Sequence, residues 1–382
     1  MRRSELFSLI RLLACVPLAC LAQPMPTCQS GRCMQVISGT ARVGPRLRVN
    51  AGGAVTLEAG VSGDLRYAAT VVARAHSDAE ARRLLEQYMV RVVPDGDWYV
   101  LAASGGPLTS TLEVRAPKLT AATIFTPDGE VQARGVDGSL EVNSGGGPVT
   151  VDRIRGDCRL TTRDGSVSVG EVGGTLRLTT GSGKITVKSV GGEAVLQTMG
   201  GDIVVGQAGG AVQAETGAGT VRVDKAAGAV WAATGGGRIW IGDARGLVTT
   251  RDAAGPVQVG SAAGAICDSG AGFVQLGSIS GSMRVTTAMG SILASLLGVQ
   301  QADSYLATGN GDITVVIPSN VGVTIQAENE MADTAWRIVS EFPQIPVRVR
   351  GNRVVAEGPV NGGGPVLRIS AAAGTIYIKR QP

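Results

Sequence analysis

Histidine is almost missing from this chain. His76 is the only one in 382 residues, and it precedes a helical stretch rather than joining the cysteines. A zinc centre built on cysteine and histidine spacing is therefore disfavoured, and no other metal or cofactor signature replaces it. Aromatic residues make up 3% of the sequence, so any core must be thin and filled by valine, isoleucine and alanine. No basic patch is interleaved with aromatics, which sets nucleic acid binding aside. The formal charge of +4 is too small to name a partner, and it falls to +2 once residues 1–22, with three arginines and one glutamate, are removed. After that leader no apolar run reaches the eighteen or so residues a membrane span requires. Glycine-rich strings such as GDIVVG at 201–206 lack the aspartates of calcium-binding coils and the strand-to-helix setting of a phosphate loop. No catalytic constellation stands out, and the chain reads as a non-enzyme.

Glycine, by contrast, is abundant, with 56 copies, and it is spaced. Residues 173–190, GGTLRLTTGSGKITVKSV, form an eighteen-residue unit that recurs on both sides. Glycine stands at positions 2 and 11 of the unit, and β-formers stand at 4, 6, 13, 15 and 18. Position 11 reads Gly165, Gly183, Gly201, Gly219 and Gly237; position 13 reads Val167, Ile185, Ile203, Val221 and Ile239. Fixed self-similarity at this period marks a stacked architecture. Each unit divides into two nine-residue halves, each opening at a glycine and alternating apolar with polar residues as a half-buried strand does. Glycine would supply positive φ at the bends. The reading is an all-β parallel β-solenoid with about eighteen residues per coil, stable only because neighbouring coils share backbone pairing and one dry core. Ten consecutive coils over 119–297 would make a rod about 45 to 50 Å long.

The expected organisation has four parts. Residues 1–22 read as an export signal, with a basic head, a short apolar run and small residues before cleavage after Ala22. The alternative is a lipoprotein box at 12–15, LLAC, although Arg11 interrupts the run ahead of it. Residues 23–118 read as a β-rich capping segment with one helix at about 78–89, where Ser77 and Glu80 form a capping box. Residues 119–318 are the repeats. Residues 319–382 hold one further strand, a surface excursion at about 328–352 and a closing coil over 364–380.

Of six cysteines, Cys15 and Cys20 fall in the leader. Cys28 and Cys33 bracket a short polar loop, which an exported chain would close as a disulfide; two free thiols are the alternative. Cys158 and Cys267 lie about six coils apart and cannot be joined within one chain. Position 8 carries a column of hydroxyls, including Thr162, Thr180, Thr198, Thr216 and Thr234. It reads as a structural ladder that serves backbone groups at the bend rather than an ice-binding surface, because the adjacent Thr161 and Thr179 must point the other way. Trp231 and Trp240 occupy outward positions 5 and 14 of a single coil and are the candidate surface contacts, on opposite faces. Arg159 and Arg177 stack at position 5 and read as a solvated basic strip rather than a polysaccharide lyase site.

These features resemble a bacterial family that goes by the name "putative adhesin", a β-strand-repeat domain of unknown function. The likeness rests on the exported start and early β segment, VRAPKL at 114–119, TGSGKITVKSVGG at 180–192, YLATGNGDITVVIP at 305–318 and GGGPVLRISAAAGTIYIKR at 362–380. It spans about 46–380. The resemblance implies an exported or envelope-associated protein, at the periplasm or cell surface, and carries no catalytic residue onto this chain. The function expected is presentation of repeated strand faces to a glycan or an envelope protein. The alternatives are an envelope scaffold or stress sensor that stacks on itself or holds a regulator and, more remotely, a polysaccharide lyase.

Overall fold

The structure, a computed structural model, describes residues 25–104, 108–296, 302–331 and 337–381. The export signal read at 1–22 lies outside the described residues, as do Cys15 and Cys20.

One coil shows how the repeat becomes a layer. Strand Leu176–Thr180 turns Leu176, Leu178 and Thr180 inward and Arg177 and Thr179 outward; strand Ile185–Val190 buries Ile185, Val187 and Val190. Each strand pairs in parallel with its counterpart eighteen residues on, so that Leu178 meets Leu196 and Ile185 meets Ile203, with all four buried. Repetition of this step builds two long sheets, one from each half-coil, around a single core. Along the second half-coil the inward and outward alternation slips once. Lys188 and Ser189 both face out, and the ladder skips Lys188, so the chain rounds a corner there before Val190 returns to the core.

Glycine at position 11 answers two different demands. Gly129, Gly147 and Gly165 take positive φ of 128°, 84° and 131°, as anticipated. From Gly183 to Gly290 φ is not positive and the demand is crowding between coils, which Gly165 shares: a β-carbon on Gly183 would come within 1.7 Å of the Gly165 carbonyl oxygen, and one on Gly201 within 2.1 Å of that of Gly183. Stacking at about 4.8 Å leaves no room for a side chain aimed along the rod axis.

The ends of the rod depart from chain order. Residues outside the eighteen-residue frame supply two complete coils at the amino-terminal end. Arg46–Ala51 and Ala54–Glu58 form one, which pairs directly with the strands Ala121–Thr126 and Val131–Arg134. Trp98–Ser104 and Thr109–Arg115 form the next layer outward. Antiparallel strands then cover both sheets: Met89–Asp95 on one, and Leu65–Arg74, Arg32–Ala41 and Thr27–Gln29 on the other. The helix spans Asp78–Glu86, ending before the expected Met89, which instead opens a strand. Ser77 accepts from the Glu80 amide at 3.3 Å and the Glu80 carboxylate accepts from the His76 amide at 3.2 Å. Ala81 and Leu85 are buried, and Asp78 accepts from the Gly31 amide at 2.6 Å, pinning the terminal hairpin.

At the other end the coil expected to close the rod lies one layer inside it. Val366–Ala373 sits between Ser304–Asn310 and Val323–Asn329, and Ile376–Arg380 sits between Ile313–Ile317 and Ile338–Ser340. The stretch expected as a surface excursion therefore supplies part of the true end. Ile338 joins the sheet, Phe342 and Ile345 are buried, and Val347–Arg350 pairs antiparallel with Arg353–Val360. The physical reason is edge protection: a bare final coil would expose a row of unpaired backbone groups, and short antiparallel strands cover them.

Candidate binding groove

The hydroxyl column is internal. Thr216 is buried, donates to the Gly201 carbonyl at 2.8 Å and accepts from the Gly219 amide at 3.1 Å; Thr198 and Thr234 repeat both contacts one coil away in either direction. It serves the bends and leaves the outer strand faces to carry any ligand.

On the outer face of the first sheet, a groove of about 580 Å³ runs along the rod axis. Thr123, Ser139, Glu141, Asp157 and Thr175 line it between its two ends. At one end the Arg48 guanidinium stacks on the Trp98 ring at 5.4 Å and is held by Asp95 at 3.3 Å. The inserted coils bring these residues beside the repeats, because Arg48 registers with Thr123 and Thr123 with Glu141. At the other end Arg159 and Arg177 are in-register neighbours on adjacent strands, both exposed. From the Arg48 strand to the Arg177 strand is four strand spacings, about 19 Å.

The acids beside the arginines are otherwise engaged. Asp157 accepts from the Thr175 amide at 2.8 Å and the Thr175 hydroxyl at 2.9 Å, and these bonds, helped by the Arg177 charge, hold its carboxyl below the usual range. Glu141, which registers with Arg159, accepts instead from Asn143 at 3.4 Å. Among the described residues no ion pair within 4.0 Å ties Arg159 or Arg177 to an acid. A larger groove of about 740 Å³ follows the corner of the coils, but its charges are already matched: Arg155 pairs with Asp137 at 3.2 Å and Lys188 with Glu171 at 3.0 Å.

Of the residues singled out from sequence, Trp231 lies on the same outer face as the groove, half-buried, in the column that continues from Arg177 through Val195 and Gln213. Trp240 lies on the other sheet, where Arg222 stacks on it at 4.4 Å while also pairing with Asp224 at 2.7 Å. The two tryptophans therefore share no site. Cys28 and Cys33 face each other across the antiparallel hairpin and are joined as a disulfide. Cys158 and Cys267 are separate, buried thiols. Sequence reasoning did not pick out Trp98 or Arg48, since nothing local reveals that their strands join the stack; the short β patterns at 46–49 and 98–103 were the available signal.

Among the described residues no group of three or more histidine, cysteine, aspartate or glutamate side chains gathers as for a metal ion, and no helix is long and apolar enough to cross a membrane. The fold and groove define a non-globular class: a capped parallel β-solenoid with one notched strand face. No protein-family model and no curated protein matches the chain. Solved structures similar to it include a "putative cell adhesion protein" from Clostridium sporogenes, at 8% identity, with 91% of this chain and 100% of that one covered and a TM-score of 0.18. A "putative adhesin" from Bacteroides fragilis aligns at 10% identity over 91% and 97% of the two chains, with a TM-score of 0.22. Another of that name, from Parabacteroides distasonis, aligns at 10% identity over 74% and 96%, with a TM-score of 0.27. At these scores they bear on neither ligand nor partner.

Proposed function

We propose that this protein is a non-catalytic, exported binding protein that holds an extended glycan along the outer face of its first sheet. The observation that carries this reading is the groove between Trp98 with Arg48 and the Arg159 and Arg177 pair, continued toward Trp231 in one column. Indole faces stack on sugar rings, and a face repeated at strand spacing suits a polymer that makes many weak contacts. Trp98 and Trp231 stand on strands eight spacings apart, about 38 Å, which fits a chain rather than a single sugar. The basic and apolar start, together with the Cys28 and Cys33 disulfide, favours an oxidising compartment, the periplasm or cell surface.

Binding is favoured over lyase chemistry because, among the described residues, no histidine, lysine or tyrosine lines the groove, and a carboxylate held as ionised as Asp157 is a weak proton acceptor. Self-stacking into longer rods is disfavoured by the unlike, covered ends. The outer edge strands carry Pro94 and Asp95 at one end and Arg348 and Arg350 at the other, features that block strand addition.

The test is a glycan array probed with the mature chain and its Trp98→Ala, Trp231→Ala and Trp240→Ala variants. Retention of at least one glycan by the wild type is expected, with a loss of roughly tenfold or more for Trp98→Ala and none for Trp240→Ala. Equal retention by wild type and Trp98→Ala would remove the groove as the site.

A further inference from the structure

We infer that the groove selects a polyanionic glycan, with the Arg159 and Arg177 pair receiving its carboxylate or sulfate groups. This deepens the carbohydrate-binding reading and rests on it.

Like charges directly opposite one another on neighbouring strands destabilise a sheet. Arg159 and Arg177 are such a pair, at one strand spacing, on an exposed face. Some arginines of this rod find acids, as where Arg134 meets Glu58 at 3.0 Å and Arg222 meets Asp224 at 2.7 Å. Here both candidate acids line the groove but accept their hydrogen bonds from other residues. Asp157 is occupied by Thr175 and Glu141 by Asn143, so two guanidinium forks face solvent without an ion pair. Planar forks match carboxylate and sulfate oxygens two at a time, and an arriving anion would also relieve the repulsion between them. The stacked Arg48 and Trp98 at the far end supply a ring surface, and so ask for a sugar rather than a free ion.

The experiment measures binding of the full mature chain to polygalacturonate, to the same polymer fully methyl-esterified, and to dextran and dextran sulfate. Wild type is expected to bind polygalacturonate or dextran sulfate at least tenfold more tightly than the uncharged counterpart, with affinity falling as salt rises. The Arg159→Ala, Arg177→Ala double variant is expected to lose that margin, and the double lysine variant to keep only part of it, because it keeps the charge and loses the fork. The melting temperature of the double alanine variant, read in parallel, is expected to hold or rise as the repulsion is removed; a drop would mark the pair as structural and overturn the inference. Equal binding of charged and esterified polymers, or full acidic binding by the double alanine variant, would overturn it too. If neutral polymer then binds and Trp98→Ala abolishes that binding, carbohydrate recognition survives alone. If wild type holds none of the four polymers, both readings fall.

Discussion

Asp252 sits directly beside Thr234 in the buried hydroxyl column, placing a carboxyl group where the neighbouring coils carry a hydroxyl. Thr234 donates to the Gly219 carbonyl and accepts from the Gly237 amide. Ionised, Asp252 can only accept. The amides of Gly255, Ala254 and Ala253 turn toward it without making a well-aligned hydrogen bond, so neither oxygen is satisfied.

Burial outweighs those amides and raises the Asp252 pKa. Its surroundings inside the coil are Thr234, Thr250, Cys267 and Ser269, and the outward charges on the same two strands are Arg251 and Asp268. Because the folded pKa lies above the unfolded one, the protonated form favours folding. The contribution is complete below the ordinary carboxylate pKa and is lost as pH rises through the raised value. Melting temperatures measured between about pH 4 and pH 8 should show Asp252→Thr gaining on wild type as pH rises, by about 1 to 3 kcal/mol at the upper end. A constant difference across that range would contradict the assignment.

The threonine ladder should be sensitive to loss of the hydroxyl and tolerant of loss of the methyl. Thr216→Val keeps the shape but strands the Gly201 carbonyl and the Gly219 amide, at a cost of about 1 to 3 kcal/mol. Thr216→Ser keeps both contacts and should cost about 1 kcal/mol for the missing methyl. Denaturant titration of both variants checks the order, and a valine variant as stable as wild type would refute the structural role.

Burial pushes the Cys158 thiol up to about 12 and the Cys267 thiol up to about 11. Neither forms appreciable thiolate near neutrality, so neither should react with a thiol reagent in the native state. Without reductant, unfolding the chain from residue 23 onward should release two reactive thiols, since Cys28 and Cys33 remain joined. Four released thiols would show that the hairpin disulfide does not form.

Removal of residues 364–382 should damage more than a terminal turn. That coil is clamped between Ser304–Asn310 and Val323–Asn329, so its loss uncovers both. Hydrogen exchange is expected to accelerate through 304–317, 323–331 and 337–360 together while the 139–262 amides stay protected, as nearest-neighbour stacking requires. Exchange confined to the deleted edge would mean that the coil is terminal after all.

The repeat was legible because every coil states it twice: Leu176, Leu178, Ile185 and Val187 alternate with polar neighbours, and Gly183 marks the bend. The internal role of Thr180 and its column was legible for the same reason, since the adjacent Thr179 had to face outward. The groove was only half legible. Arg159 and Arg177 could be stacked by counting eighteen residues, but the bonds that occupy the neighbouring acids became visible only once Thr175 and Asn143 were placed. Trp98 and Arg48 lie fifty residues apart in segments without the glycine frame, and no period connects them.

What the sequence by itself determined is the coil: local alternation and glycine spacing dictate which side chains face the core, because one slip would turn them all outward. What only the tertiary structure decided is the order of layers at the two ends. There Arg46–Ala51 enters between Trp98–Ser104 and Ala121–Thr126, and Val366–Ala373 enters between two earlier strands. Parallel backbone pairing is indifferent to how far along the chain a partner lies, so edge protection and core continuity, rather than sequence proximity, set that order and with it the arginine and tryptophan at the mouth of the groove.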